Sequence, residues 1–146
     1  MKGYRSGYQG QGKTIPSASV KYPTSLCLLL PSGLYRYLNW DKVAKAPTHV
    51  VEPIREGDLI DEVIKTLPRL SRAKCYIVSV SDAASRPSFS IMEAAYSALH
   101  ISLQAKALGL ASRVTPLGGE EMVRLKELLR IEEIPILISA VGRRFS

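Results

Sequence analysis

The chain has 146 residues, 46% of them hydrophobic and 23% charged, and a formal net charge of +7. That length allows one domain, which buries about 68–70% of the surface its unfolded form exposes and needs no metal or disulfide staples. A membrane-spanning helix is not expected, because the longest apolar runs, Leu26–Leu30 and Ile134–Ile138, fall far short of ~18–20 residues. Nor does the polar, glycine-rich stretch Met1–Lys21 read as a secretory signal. Cys27 and Cys75 each sit in an apolar run without metal-ligand spacing. They read as reduced core thiols of a cytoplasmic protein. The charge is uneven: residues 1–51 carry seven Lys or Arg against Asp41 alone, while residues 52–146 carry thirteen basic and twelve acidic side chains. A basic amino-terminal third suits either an anionic partner or a plain solvated arm.

Residues 1–14, rich in Gly, Gln, Tyr and Lys, have no apolar periodicity and are expected to form a flexible basic arm. Residues 15–146 are expected to form a single domain. Ser25–Leu30 and Leu34–Leu38, separated by Pro31-Ser32-Gly33, predict a hairpin. Thr48–Glu52 reads as a short strand. Asp58–Leu67 places Leu59, Ile60, Val63, Ile64 and Leu67 at helical spacing, and Pro68 ends that helix. Lys74–Ser81 is β-branched and apolar, the pattern of a central strand. A long helix follows, with Ser90 and Glu93 spaced as a capping box. Met92, Ala95, Tyr96, Leu99, Leu103, Ala107 and Leu110 mark one face of it, and Gly109 is the expected left-handed stop. Ser112–Pro116 reads as a strand, Glu120–Arg130 as a helix with acids at its start, and Ile134–Val141 as a last strand. The sum is α/β or α+β, with a two-layer or three-layer sheet.

Gly7-Tyr-Gln-Gly-Gln-Gly12-Lys13-Thr14 matches a phosphate-binding loop letter for letter. The context fails, since no strand can precede Gly7 and Ile15-Pro16-Ser17 is poor helix chemistry, so the match reads as coincidence. His49 and His100 are far apart in sequence, and no metal site is expected. His100 reads as a packed helical histidine. The carboxylates at Asp58, Asp61, Glu62, Glu120 and Glu121 read as solvated or helix-start charges.

The informative pattern is spread along the chain. Pro16-Ser17-Ala18-Ser19-Val20-Lys21-Tyr22-Pro23 resembles the P-S-A-G-x-x-Y-P signature of the nitroreductase-like flavoprotein superfamily, with Ser19 replacing the glycine. Gly33-Leu34-Tyr35-Arg36-Tyr37 is similar to a segment of its azoline-dehydrogenase branch. Glu93–His100 with Ala105–Leu110 resembles that superfamily's long helix, and Leu125–Gly142 resembles its closing segment. The resemblance implies an α+β fold, a mixed sheet flanked by helices with one long central helix. It also implies FMN held at the interface of a homodimer, with NAD(P)H as electron donor and a small-molecule acceptor of the nitroaromatic or quinone class. It implies cofactor contacts at Pro16, Ser17, Ala18 and Ser19, at Gly118 and Gly119 beside the flavin, and at Arg143 and Arg144 near the phosphate. Such a ligand needs small residues along a flat ring and cations at its tail.

Departures from the pattern are specific. Only fifteen residues precede Pro16, where the superfamily carries two helices and an arginine-rich phosphate motif, so the chain reads as amino-terminally truncated. Ala95 stands for the helix's glycine and Leu99-His100 for its Gln-Asn pair. The Lys-Tyr pair tied to azoline oxidation is replaced by Ala84–Ser88. Two readings follow. One is an FMN oxidoreductase with weakly held flavin; the other is a flavin-free binding or assembly module. Neither requires a membrane, and a nucleic-acid partner is not expected.

Overall fold

The computed structural model describes residues 24–41, 43–82 and 87–143. Strands β1 (Thr24–Leu30) and β2 (Gly33–Asp41) form the expected hairpin. Gly33 opens β2 at φ +153°, and a Cβ there would lie 2.4 Å from the Arg55 carbonyl oxygen. Only glycine lets β3 approach this closely. Strand β3 (Ala46–Glu56) runs eleven residues where Thr48–Glu52 was expected. Pro47 and Pro53 hid its true length: a proline lacks the ladder N–H, yet an edge strand leaves that side unpaired.

Helix α1 (Ile60–Thr66) buries Ile60 and Val63, and Asp58 Oδ1 accepts the Ile60 N–H at 3.0 Å. Strand β4 (Cys75–Ser81) leads to the long helix α2 (Pro87–Ala107), then β5 (Ala111–Pro116), α3 (Gly119–Leu129) and β6 (Ile134–Gly142). Gly109 at φ +74° ends α2. The Leu110 N–H bonds the Ala105 carbonyl at 2.8 Å and the Gly109 N–H bonds Lys106 at 3.0 Å. This is the paired pattern of a glycine-stopped helix.

Among the described residues the strands lie in the order β3-β2-β1-β4-β6-β5. The α+β class holds, but the sheet is antiparallel throughout rather than mixed. The reason lies in β4–α2–β5. The crossover returns β5 in the direction of β4, yet β6 slots between them, antiparallel to both. The chain makes a split βαβ unit, with no parallel pair in contact.

Alternation along the strands sends side chains to two faces. On one, Leu29, Leu34, Val78, Val80 and Ile138 pack on Val63 and Leu67, with Leu125 and Leu129 from α3. On the other, α2 lays Ala94 and Ala98 against Ile136 and Leu137. Serines line this second seam: Ser79, Ser81, Ser90, Ser97 and Ser139 are all buried.

The capping box expected at Ser90 is not at a helix start, because α2 already begins at Pro87. A proline's fixed φ and missing N–H suit the first helical position. Ser90 instead takes a hydrogen bond from the Ser81 hydroxyl at 2.5 Å. Buried Glu93 reaches across to β1, where its Oε1 accepts the Thr24 hydroxyl at 2.5 Å and the Thr24 N–H at 3.3 Å.

The apolar stripe read on α2 faces away from the sheet. Met92, Leu99 and Leu103 are 49%, 58% and 59% exposed. Small and polar residues lie underneath because they let the helix approach the serine-lined strands. His100, expected to be packed, is exposed on the outer side with them. Among the described residues, no helix is long and apolar enough to cross a membrane, and no cluster of His, Cys, Asp and Glu is placed to hold a metal.

Candidate functional site

One end of the sheet gathers the start of β1, the ends of β4 and β5 and the start of β6. Thr24 pairs with Ser81, Ser81 with Ile134, and Pro116 with Leu137. The chain turns there from β5 into α3. Buried Leu117 donates its N–H to the Ile136 carbonyl at 3.1 Å, and Gly118 caps α3 in an extended conformation.

An ion pair braces this corner. Arg69 donates to both carboxylate oxygens of Glu121 at 3.1 and 2.6 Å, and to the Pro116 carbonyl at 2.5 Å. Glu121 Oε1 also accepts the Gly118 N–H at 2.9 Å. The Arg69 guanidinium first, then the Gly118 amide, hold the Glu121 carboxyl below its usual range.

The Gly118 amide is therefore spent on Glu121. Gly119 opens the helix, where an N–H has no carbonyl partner within the helix. Nothing lies within 4 Å of where a Gly119 Cβ would stand. Beside the corner runs an apolar groove of about 530 Å³, walled by Ile91, Ala95 and Leu99 of α2 and by Leu117, Met122 and Leu137. Acids at Glu120 and Glu121 already satisfy the positive end of α3. The corner thus suits a neutral hydrogen-bond acceptor on a flat apolar body better than a phosphate.

Gly118 and Gly119 are at this corner. Arg143 is not. It follows the far end of β6, seven residues beyond Ile136, or about 23 Å at ~3.3 Å per residue. Pro16, Ser17, Ala18, Ser19 and Arg144 lie outside the described residues, as does the phosphate-loop lookalike at 7–14.

The Gly33–Tyr37 segment is architectural. Leu34 is in the core, and Arg36 forms an ion pair with Glu133. The hydroxyls of Tyr35 and Ser32 are 2.8 Å apart, and the Tyr37 hydroxyl meets His49 Nδ1 at 2.6 Å. Cys27 is fully buried, and burial pushes its thiol up to about 11, so it is no nucleophile at neutral pH. Sequence reasoning missed the Arg69–Glu121 brace. Glu121, three residues after Gly118, carried a capping signal; Arg69, 52 residues away, carried none.

No protein-family model and no curated protein sequence matches the chain. Solved structures do match. A Ralstonia eutropha protein named as a nitroreductase superposes with a TM-score of 0.73 at 26% identity, over 92% of this chain and 64% of that one. A chain of the E. coli microcin synthetase McbBCD complex, solved with truncated pro-MccB17 bound, gives 0.70 at 16% identity, covering 99% of this chain and 60% of the other. An Anabaena variabilis protein named as a nitroreductase gives 0.71 at 22% identity, over 91% of this chain but 29% of its own. The chain therefore spans less than two thirds of the length of each. The fold is nitroreductase-like, of the kind also found in the microcin synthetase.

Proposed function

We propose, from this nitroreductase-like fold, that the chain is an FMN-dependent oxidoreductase taking electrons from NAD(P)H to a small nitroaromatic or quinone-type acceptor, and that it works as a homodimer. One observation carries the reading: Leu117 and Met122, on either side of Gly118–Gly119 along the chain, line an apolar groove beside the end of β5 and the start of β6. FMN, when bound, supplies a ring that accepts hydride at N5 and passes electrons on.

The residues at the corner fit the ring end of that group. Gly119 offers a helix-start N–H and open space where a Cβ would stand, while Leu117 and Met122 line the groove beside it. The Arg69–Glu121 brace keeps the corner rigid. Pro16, Ser17, Ala18 and Ser19 belong to the proposal as the small residues preceding β1. Arg143 does not serve the same bound group within one chain, because ~23 Å along a strand exceeds the reach of a mononucleotide.

The dimer part rests on the outer face of α2. Ile91, Met92, Tyr96, Leu99 and Leu103 form an exposed apolar stripe, and patches of this kind on soluble proteins mark interfaces.

A flavin-free binding module is the second reading. It is favoured by the state of the nearby cations: Arg69 is paired with Glu121 and Arg124 with Glu120, so neither is left for a phosphate. Reconstitution with FMN followed by gel filtration decides between the two. The oxidoreductase reading expects flavin absorbance bands to travel with the protein and NADH or NADPH to be consumed when a quinone is added. A colourless protein after reconstitution would leave the binding module.

A further inference from the structure

We propose that the opposite end of the sheet binds a phosphorylated, nucleotide-sized small molecule at a site separate from the Gly118–Gly119 corner. Two depressions meet there, of about 860 and 230 Å³, and both are lined by Arg72, Ala73, Gly142 and Arg143. The larger falls within the roughly 300–1,000 Å³ typical of small-ligand sites. Its walls include Pro31, Ile60 and Val141, apolar enough for a ring system. The smaller adds the hydroxyls of Ser71 and Ser112 and the guanidinium of Arg113.

The loop that carries Arg72 is held in place before any ligand arrives. The hydroxyl of fully buried Tyr76 accepts the Ala73 N–H at 2.7 Å and donates to the Ser71 carbonyl at 2.9 Å. Arg113 reaches the Ser71 hydroxyl at 3.2 Å, tying β5 to the same loop. The pairing of Cys75 with Val141 brings Lys74, next to Cys75, and Arg143, two residues past Val141, to one rim.

Charge selects the ligand. Among the described residues lining the two depressions, Arg72, Lys74, Arg113 and Arg143 stand with two acids, Asp58 and Asp61. Asp58 is engaged with the Ile60 amide, and Asp61 pairs with Arg72 at 2.8 Å, which leaves Lys74, Arg113 and Arg143 as the cations for a phosphate. Guanidinium forks match the oxygens of a phosphate group. The two acids on one wall disfavour a long polyanion, whereas a single phosphate or diphosphate can sit at the waist between the depressions, with its ring system in the larger one.

Calorimetric titration of the full chain with ADP, adenosine and inorganic phosphate tests this. ADP should bind, adenosine should not, inorganic phosphate should bind more weakly than ADP, and the ADP affinity should fall with added salt. The double variant Lys74→Ala, Arg113→Ala should weaken ADP about tenfold or more while leaving Tm and FMN binding unchanged. Arg113→Glu serves as a second variant and should abolish binding. The proposal is overturned if adenosine or phosphate binds as well as ADP, if the variants bind like the parent, or if Gly119→Leu at the other end of the sheet loses ADP. Binding of an RNA oligonucleotide or an acidic peptide in place of ADP would overturn it as well.

Discussion

The outer face of α2 gives the most quantitative expectation. Leu99 and Leu103 are 58% and 59% exposed in the single chain, so replacing both with serine removes no core packing and should alter monomer stability by no more than about 0.5 kcal/mol. A core change such as Leu125→Ala, at a site with no exposure, should cost about 2–5 kcal/mol. In a dimer closed over this stripe the sum differs. Fully burying a leucine contributes about 1.5–3 kcal/mol, so hiding the remaining three fifths of each side chain contributes about 1–2 kcal/mol. Four such side chains meet across a twofold contact. The double variant should therefore lose about 4–7 kcal/mol of association, raising the dimer dissociation constant by at least two to three powers of ten. Sedimentation at ten micromolar reads this directly: a dimer for the parent and a 16.0 kDa monomer with unchanged Tm for the variant. If the parent sediments as a monomer, or the variant stays dimeric, the stripe is not the contact.

Two further expectations concern the frame. Gly33→Ala places a Cβ 2.4 Å from the Arg55 carbonyl at φ +153°; it should destabilise the chain by about 2 kcal/mol or more in urea titration, and a neutral outcome would mean β3 does not lie where described. Burial is the largest single influence on the Glu133 carboxyl and would raise it, but the hydrogen bond and charge of Arg36 together with the backbone amides of Glu132 and Glu133 outweigh it and hold the group below its usual range. A carboxyl lowered in the folded state contributes its full stabilisation above the unfolded value, ~4.3, and loses it as pH falls through the folded one. Glu133→Gln should therefore flatten the fall of Tm below about pH 4, and an unchanged acid limb would contradict the pairing.

Much of the frame was legible because local rules decided it. The Pro31-Ser32-Gly33 turn, the apolar run of β4 and the Gly109 stop act through a few adjacent residues. The face of α2 was legible as a stripe but not as a direction. What packs beneath the helix is set by Ser79 and Ser139, on strands distant in sequence. The start of α2 went astray for a related reason: Ser90 and Glu93 fit a capping pattern, yet their side chains serve β4 and β1. Gly118 and Gly119 could be nominated from sequence, whereas Arg143 could not be placed. Spacing along the chain does not reveal that β6 carries it to the opposite end of the sheet. Arg69 is the same case in reverse, a surface arginine whose role appears only once Glu121 is beside it.

Flavin binding at the corner is the central claim, and a paired fluorescence titration tests it most directly. FMN at fixed low concentration is titrated at low salt with the parent chain and with Gly119→Leu. Nothing stands within 4 Å of the Gly119 Cβ position, so the fold should tolerate the leucine while its side chain takes up the open space at the corner. The account predicts saturable quenching by the parent and at least tenfold weaker quenching by the variant, about 1.4 kcal/mol or more, with equal Tm. Flavin fluorescence that stays unquenched at high micromolar parent protein, or quenching that is the same for both chains, would contradict it.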